Sequence, residues 1–592
     1  MKKILIPTLM AALLFAACHH DTKPADADLV VLYTTDVHGA CLGFDIKLNA
    51  PAKTSLANVS TYLKQVRQEC PGQMLLFDTG DFLQGQPSVY YYNYIDTVST
   101  HVVAATYNYL GYDALGMGNH DIEAGEAVYH DRLPLQLQMP LLCANAIDTR
   151  TIRTEGDLNT GEPMFQPYAI FERSHLKIAV LGMITPHIHA WLPKALWPHL
   201  EFQDMVECAQ RWVPYIQKNE KPDLIIGLFH AGGDYTVNGS DLDSYKNENG
   251  SIPAITKVPG FDICLLGHDH QERDLRIVSV AGDTVPVIDA VTQARKVGRI
   301  DVHFSRQADG SYKKQFSTKL VDMRDYAPDS AYLQTFEPIV ETVNSYVDAP
   351  ICKLSSPLQG LDGLVGPSAF VDLIHDTQLW ATHADISLAA ILSPYEVVPA
   401  GTVTMRHLFT LYKYENQLFT ISMTADEVRR YLEYGYSMQY NTMHSASDHL
   451  LLFSDLTPTH PRLATPTFNY TSAAGIRYEV DVTQEPGNRV RLISMSDGAA
   501  IDPDKLYRVA INSYQYSGGG NFIPDGLGWD SETLESRTLD TTPIDVRRYL
   551  ARYLATMQEV QPHLRGDWQV VPQTWWKAAK DRDIKFMHAN QR

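Results

Sequence analysis

Basic residues are in short supply: 49 Lys and Arg stand against 69 Asp and Glu, a formal net charge of −20. A protein that tracks along a nucleic-acid polymer needs a basic surface to displace counterions, so this balance speaks against such a partner. It leaves room for a small anion, provided local cations or metals hold it. Cysteine is sparse too, with seven residues and no C-x-x-C pair. A chain this long builds its core without disulfide staples, and Cys143 (in LLCAN) and Cys264 (in DICLLG) sit in apolar runs as buried thiols would. Apolar runs of the about 20 residues needed to span a bilayer are missing as well. Internal repeats and low-complexity tracts are also missing.

The apolar run that does occur, residues 4–17 behind the cations Lys2 and Lys3, is too short to span and reads as a secretory signal. Ala16-Ala17-Cys18 has the look of a bacterial lipobox, so residues 1–18 are expected to be a lipoprotein signal peptide. The expectation is an exported protein, periplasmic or on the outer membrane, held to lipid only by its N-terminus. A polar stretch, residues 19–28, then serves as a tether. A monomer is the default expectation.

At 592 residues, and roughly 100–200 residues per domain, more than one domain is required. From about residue 29 to 305, short Val/Ile/Leu-rich runs alternate with helical stretches at 97–110 and 203–218. These runs (LVVLYTT, MLLFDTG, DALGMGN, PLLCANA, KIAVLGMI, DLIIGLFH, DICLLGH) read as the buried strands of an α/β domain. Residues 328–350 read as one helix with an internal Pro. A second domain follows, with helical patterns at 368–382 and 424–435 and strand alternation at 476–483 and 489–496. The end, from about 576, reads as a loose polar tail.

Most of the strand-like runs end in Asp, His or Asn, and open α/β sheets bind ligands at the carboxyl ends of their strands. Five blocks supply metal-ligand chemistry: Asp36-Val37-His38-Gly39, Gly80-Asp81, Gly118-Asn119-His120-Asp121, His230, and Gly267-His268-Asp269-His270. Residues two apart on extended backbone point to the same side, so Asp36/His38 and His268/His270 can each serve one cluster. The donors are Asp36, Asp81, His38, His230, His268, His270 and the amide oxygen of Asn119. They suffice for two divalent metals if one carboxylate bridges. A mixed N/O set without thiolate suits Mn, Fe, Co or Zn.

The ordered set D-x-H-G, GD, GNHD, H, GHDH resembles the calcineurin-like metallophosphoesterases. With the second domain, residues 29–570 resemble the 5′-nucleotidase / 2′,3′-cyclic phosphodiesterase family. The resemblance implies a four-layer α/β/β/α metallophosphoesterase domain (29–327). A linker helix (328–350) joins it to an α+β nucleotide-binding C-terminal domain (351–575). It implies one metal on Asp36, His38, Asp81 and His270, and a second on Asp81, Asn119, His230 and His268. His120 matches the family's catalytic histidine, with Glu123 as the carboxylate that orients it and Asp121 as a rival. The substrate implied is a small nucleotide, its base stacked between aromatic rings. Tyr414 and Asn416 (in LYKYENQL) match one element of that clamp. Tyr514, with Tyr516 as a rival, matches the other. The N-x-GG-R element of many 5′-nucleotidases is replaced by residues 384–390 (ADISLAA), and no arginine follows before Arg406. With TPHIHAWLP, this is similar to the branch that cleaves 2′,3′-cyclic and then 3′-nucleotides. The alternative is a 5′-nucleotidase or a UDP-sugar or nucleotide-diphosphate hydrolase.

Overall fold

The computed structural model describes residues 26–234, 248–457 and 462–588; the signal segment and Cys18 lie outside them. The N-terminal domain is built on two sheets. Its main strands are β1 (Asp26–Thr34), β2 (Met74–Asp78), β3 (Ala114–Gly116), β4 (Leu141–Leu142), β5 (Tyr168–Arg173), β6 (Leu176–Ile184), β7 (Leu224–His230), β8 (Ile263–Leu266), β9 (Glu272–Val278), β10 (Thr284–Ala290), β11 (Lys296–Arg306) and β12 (Tyr312–Asp322). One sheet has the order β12-β11-β1-β2-β3-β4, the other β9-β10-β8-β7-β6-β5. β1 through β4 pair in parallel, as do β6, β7, β8 and β10.

The apolar pattern along each strand explains the layering. Leu29, Val31 and Tyr33 of β1 meet Ile178 and Val180 of β6 and Leu224, Ile226 and Leu228 of β7 in a core between the sheets. Their neighbours Val30 and Leu32 face the opposite way, onto helices α1 (Leu56–Glu69) and α2 (Val102–Leu110). Ala179, Leu181 and Ile225 face α3 (Met205–Asn219) and α4 (Ser251–Lys257). Strands buried on both faces need apolar residues at every position, and two such sheets back to back give helix, sheet, sheet, helix. Each fully buried Leu, Ile or Val adds roughly 1.5–3 kcal/mol.

Two local expectations are adjusted. The helix at 97–110 starts only at Val102, because Asp96 Oδ1 accepts from Val98 N and Ser99 N in a turn and His101 caps the helix. The PLLCANA strand shortens to β4.

Helix α5 (Ser330–Val347) runs unbroken through Pro338 and joins the domains. Lys64 and Ser60 bind its cap Asp329, and Tyr332 Oη donates to Cys41 O. At its far end Arg406 binds Asp348 and Asn344, which gives that arginine a structural place on the linker.

The C-terminal domain carries a five-stranded sheet in the order Thr471–Ala474, Ile386–Ala390, Tyr507–Asn512, Leu418–Met423, Thr538–Thr541. Helices α6 (Ala369–Thr382), α7 (Ala425–Gln439) and α8 (Val546–Ala555) accompany it. The expected loose tail is instead helix α9 (Gln573–His588). Its buried Asp583 accepts from Leu450 N, Leu451 N and His449 Nδ1 and so ties the helix to the domain. One polar-looking segment thus holds a buried anchor that composition alone does not reveal. Cys41, Cys70, Cys143, Cys208, Cys264 and Cys352 are all free thiols. Among the described residues no helix is long and apolar enough to cross a membrane.

Candidate metal centre

All five ligand blocks follow the carboxyl ends of parallel strands: Asp36 and His38 after β1, Asp81 after β2, Asn119 and His120 after β3, His230 closing β7, His268 and His270 after β8. The two sheets present these ends to one another. Two glycines allow the approach. A Cβ on Gly118 would lie 2.1 Å from Asp81 Oδ1, and one on Gly267 would lie 2.1 Å from Thr35 Oγ1 and 2.7 Å from Asp36 Oδ2. The ligand backbone itself is unusual. Asp36, His38, Asp81, His268 and His270 have φ of 49°, 47°, 61°, 87° and 55°. Left-handed backbone costs a non-glycine residue about 1–3 kcal/mol and persists only where the surroundings enforce it. Here Gly80 O accepts from Asp36 N, Asp81 O from His38 N, and Asp36 O from Gln293 N and Thr292 Oγ1.

The side chains converge in two groups. Asp36, His38 and His270 form one, with His270 Nε2 3.2 Å from Asp36 Oδ1 and 3.0 Å from His38 Nε2. Asp36, Asp81 and His230 form the other, with His230 Nε2 3.2 Å from Asp81 Oδ2. Asn119 Oδ1 lies 3.2 Å from His230 Nε2 and 2.8 Å from His268 Nδ1. Asp36 belongs to both groups, and Asp81 Oδ2 is also 4.0 Å from His38 Nε2.

These residues fit divalent metal. Imidazole nitrogens and carboxylate oxygens point inward at one another, as they would around a cation. Metal ligation calls for ionised carboxylate and neutral imidazole. Burial works against charge on Asp36 and Asp81, but the surrounding histidines, His230 foremost, hold both below the ordinary carboxylate range. Burial lowers His38 to about 4, which leaves it neutral at pH 7.

His120 lies at the rim of the cluster. Its backbone N–H donates to Asp81 Oδ1 at 2.8 Å, and its Nδ1 is 2.5 Å from Glu123 Oε2. Burial opposes its charge, yet Asp81 and Glu123 raise its pKa to about 10. The rival carboxylate is occupied elsewhere: fully buried Asp121 accepts from the backbone N–H of Asp81, Phe82, Leu83 and Gly118. Asp121 shapes the ligand loops, and Glu123 meets the histidine.

In the C-terminal domain Phe468 lies beside both tyrosines, its ring centroid 6.5 Å from that of Tyr414 and 5.6 Å from that of Tyr514. Both tyrosines feel the field of N-terminal carboxylates at the site, Glu123 for Tyr414 and Glu248 for Tyr514. Tyr516 is packed flat on Phe419 at 3.8 Å and bonded to Thr538, so it belongs to the core. Asn416 is buried, and its amide donates to Tyr412 Oη inside the loop.

Three neighbours were not singled out as site residues from sequence. Glu248 Oε1 is 2.9 Å from His268 Nε2 and raises that histidine's pKa against the effect of burial. The Trp191 ring lies 5.3 Å from the His268 ring. Phe468 sits in TFNY, where no motif marks it; only folding brings these three to the site. Trp191 belongs to the TPHIHAWLP stretch, so its neighbourhood carried a signal.

Known proteins show the same organisation. Residues 29–272 match the calcineurin-like phosphoesterase family and residues 354–525 match the 5′-nucleotidase C-terminal domain. A trifunctional nucleotide phosphoesterase of Bacillus subtilis is 24% identical over 96% of this chain, although the chain spans only 41% of that relative. A 2′,3′-cyclic-nucleotide 2′-phosphodiesterase/3′-nucleotidase of Salmonella typhimurium is 24% identical over 95% of this chain and 91% of its own length. A Staphylococcus aureus crystal structure provisionally assigned as a 5′-nucleotidase superposes with a TM-score of 0.73 at 21% identity, over 92% of this chain and all of its own. The fold and the site define a metallophosphoesterase, an enzyme that hydrolyses phosphoric esters with divalent metal. The C-terminal match narrows the class: the chain joins a calcineurin-like phosphoesterase domain to a 5′-nucleotidase C-terminal domain.

Proposed function

We propose that this protein is an exported, lipid-anchored nucleotide phosphohydrolase with two divalent metals. Its substrates are 2′,3′-cyclic nucleotides and then 3′-nucleotides, and its products are nucleoside and phosphate. The observation that supports the reading is that the carboxylates bonded to His120 and His268, Glu123 and Glu248, lie within electrostatic reach of Tyr414 and Tyr514 of the C-terminal domain. A nucleotide with its base on Tyr414 and Tyr514 would turn its phosphate toward the ligands.

Asp36, His38, Asp81 and His270 would hold one metal, and Asp81, Asn119, His230 and His268 the other. When bound, such a pair supplies positive charge for the phosphoryl oxygens and makes the attacking water acidic near neutral pH. His120 keeps its Nδ1 on Glu123, which fixes the ring and leaves the proton on Nε2 for the phosphoryl or departing oxygen. Tyr414 and Tyr514 stack on either face of the base, and any base has a π-face, so the clamp selects nucleotides without selecting one base. Asn416 would meet the base edge with the polar groups not bonded to Tyr412.

The cyclic and 3′ preference draws support from the missing N-x-GG-R and from relatives named for that activity. Rates on 2′,3′-cyclic AMP, 3′-AMP and 5′-AMP with Mn²⁺ test it; a preference for 5′-AMP would replace it with a 5′-nucleotidase. Asp81→Ala and His120→Ala test the roles: the first is expected to lose metal, the second to keep metal and lose rate. Labelling of the cell-expressed chain with a palmitate analogue, lost in Cys18→Ala, tests the anchor.

A further inference from the structure

The loop that carries Tyr414, residues 412–417, has no regular secondary structure. A functional side chain on such a loop needs something rigid beneath it. That support is Arg547, in the first turn of α8. Its side chain is fully buried, and its guanidinium addresses the loop on both sides of Tyr414. Nε donates to Tyr412 O at 3.1 Å, Nη2 to Lys413 O at 2.8 Å, and Nη1 to Glu415 Oε1 at 3.3 Å. Three donors in a fixed fork match three acceptors along one loop, which a lysine's single ammonium cannot reproduce.

The other side of the guanidinium faces aromatic rings. It lies 3.9 Å from the centroid of Phe409 and 4.9 Å from that of Tyr90. Tyr90 comes from the other domain, on helix Pro87–Tyr94, which directly follows the Asp81 loop. Asn93 Nδ2 of that helix donates to Leu83 O, so helix and metal-ligand loop are bonded. Tyr90 Oη, buried, donates to Asp545 Oδ2 at 2.8 Å, and Asp545 in turn caps α8 two residues before Arg547. A continuous line of contacts therefore runs from the Asp81 loop through Tyr90, Asp545 and Arg547 to the backbone on both sides of Tyr414.

We propose that Tyr90 and Arg547 form an interdomain brace that sets Tyr414 at a fixed height over the metal-ligand cluster, which makes both of them positioning residues for base recognition. The inference rests on the base-stacking reading of Tyr414. A plain structural ion pair would affect all substrates alike. The brace affects those that carry a base.

The test uses the Mn²⁺-loaded full chain, with Tyr90→Phe, Arg547→Lys and Tyr414→Ala. 2′,3′-Cyclic AMP is compared with glycerol 1,2-cyclic phosphate, a cyclic diester without a base. Arg547→Lys is expected to raise KM for 2′,3′-cyclic AMP about tenfold, the scale of one lost charge-assisted hydrogen bond. Tyr90→Phe is expected to raise it about threefold. For both variants, kcat on the nucleotide and kcat/KM on the baseless diester should stay within about twofold of the parent. Parental KM values on the nucleotide, or equal losses on both substrates, would overturn the brace. Should Arg547→Lys fail to fold, Tyr90→Phe, which removes one oxygen, decides alone. If Tyr414→Ala raises the nucleotide KM and the two brace variants do not, only the brace is wrong. If Tyr414→Ala leaves that KM unchanged, the stacking reading fails and the brace with it.

Discussion

Glu123→Gln keeps the size of the side chain and one acceptor for His120 Nδ1, and removes only the charge. The His120 pKa is raised to about 10 against an ordinary 6.5, a net difference of roughly 5 kcal/mol in favour of imidazolium after burial has opposed it. Asp81, Glu123 and Glu415 supply the favourable part. Bound cations would neutralise much of the Asp81 share, and of the three only Glu123 bonds to the ring, at 2.5 Å. The charge removed is therefore worth about 1.5–3 kcal/mol, the range for a hydrogen bond to a charged group. The sign follows: a raised histidine pKa keeps the proton on until pH climbs through it, so lowering that pKa brings the alkaline loss of activity to lower pH. Glu123→Gln should lower kcat about 10–100-fold, move the alkaline limb of the pH–rate profile down by about one to two pH units, and leave KM and bound metal unchanged. Steady-state rates from pH 6 to 10, with metal content by mass spectrometry, read all three. A variant with the parental kcat and the same alkaline limb would show that Glu123 does not act through His120.

Further outcomes are expected elsewhere in the chain. A Cβ on Gly519 would lie 2.5 Å from the Tyr514 ring, so Gly519→Ala should displace the ring and raise the nucleotide KM about tenfold with the melting temperature unchanged; an unaltered KM would remove Tyr514 from the base clamp. His375 is fully buried and lowered to about 3 by burial, so it stays neutral in the folded chain while the unfolded chain takes up a proton below about pH 6.5. Stability is therefore lost as pH falls, by about 2 kcal/mol from this residue between pH 7 and 5, and His375→Gln should flatten that part of a urea-unfolding series. Asp583→Ala leaves two buried backbone N–H groups without their acceptor and should destabilise the C-terminal domain by about 3–5 kcal/mol, read as a lower melting temperature with catalysis at 25 °C intact.

The ligand blocks were legible because catalytic chemistry tolerates few residue types, and each block closes a strand whose apolar run is easily seen. Asp36, His38, Asp81, Asn119, His230, His268 and His270 do meet at one end of the two sheets. Rivalries between near neighbours were not legible, because they depend on direction rather than identity. Asp121 and Glu123 are both carboxylates close to His120, and only the fold shows four backbone N–H groups closing around Asp121. Tyr514 and Tyr516 differ in the same way: two residues further along a short helical turn, Tyr516 packs onto Phe419. Arg547 and Tyr90 are more than 450 residues apart in sequence and share no motif, so their contact exists only in three dimensions. The helix at the C-terminus was hidden because its polar composition conceals a single inward-facing carboxylate.

The backbone twist shared by Asp36, His38, Asp81, His268 and His270 has a consequence for anyone who would transplant this centre. Copying the seven side chains onto a scaffold with ordinary extended loops would aim them apart, since five of them rely on a turn that most residues avoid. The portable unit is the loop with its glycines and its carbonyl partners. For the same reason, isoleucine or valine at any of the five positions should harm folding as well as metal uptake.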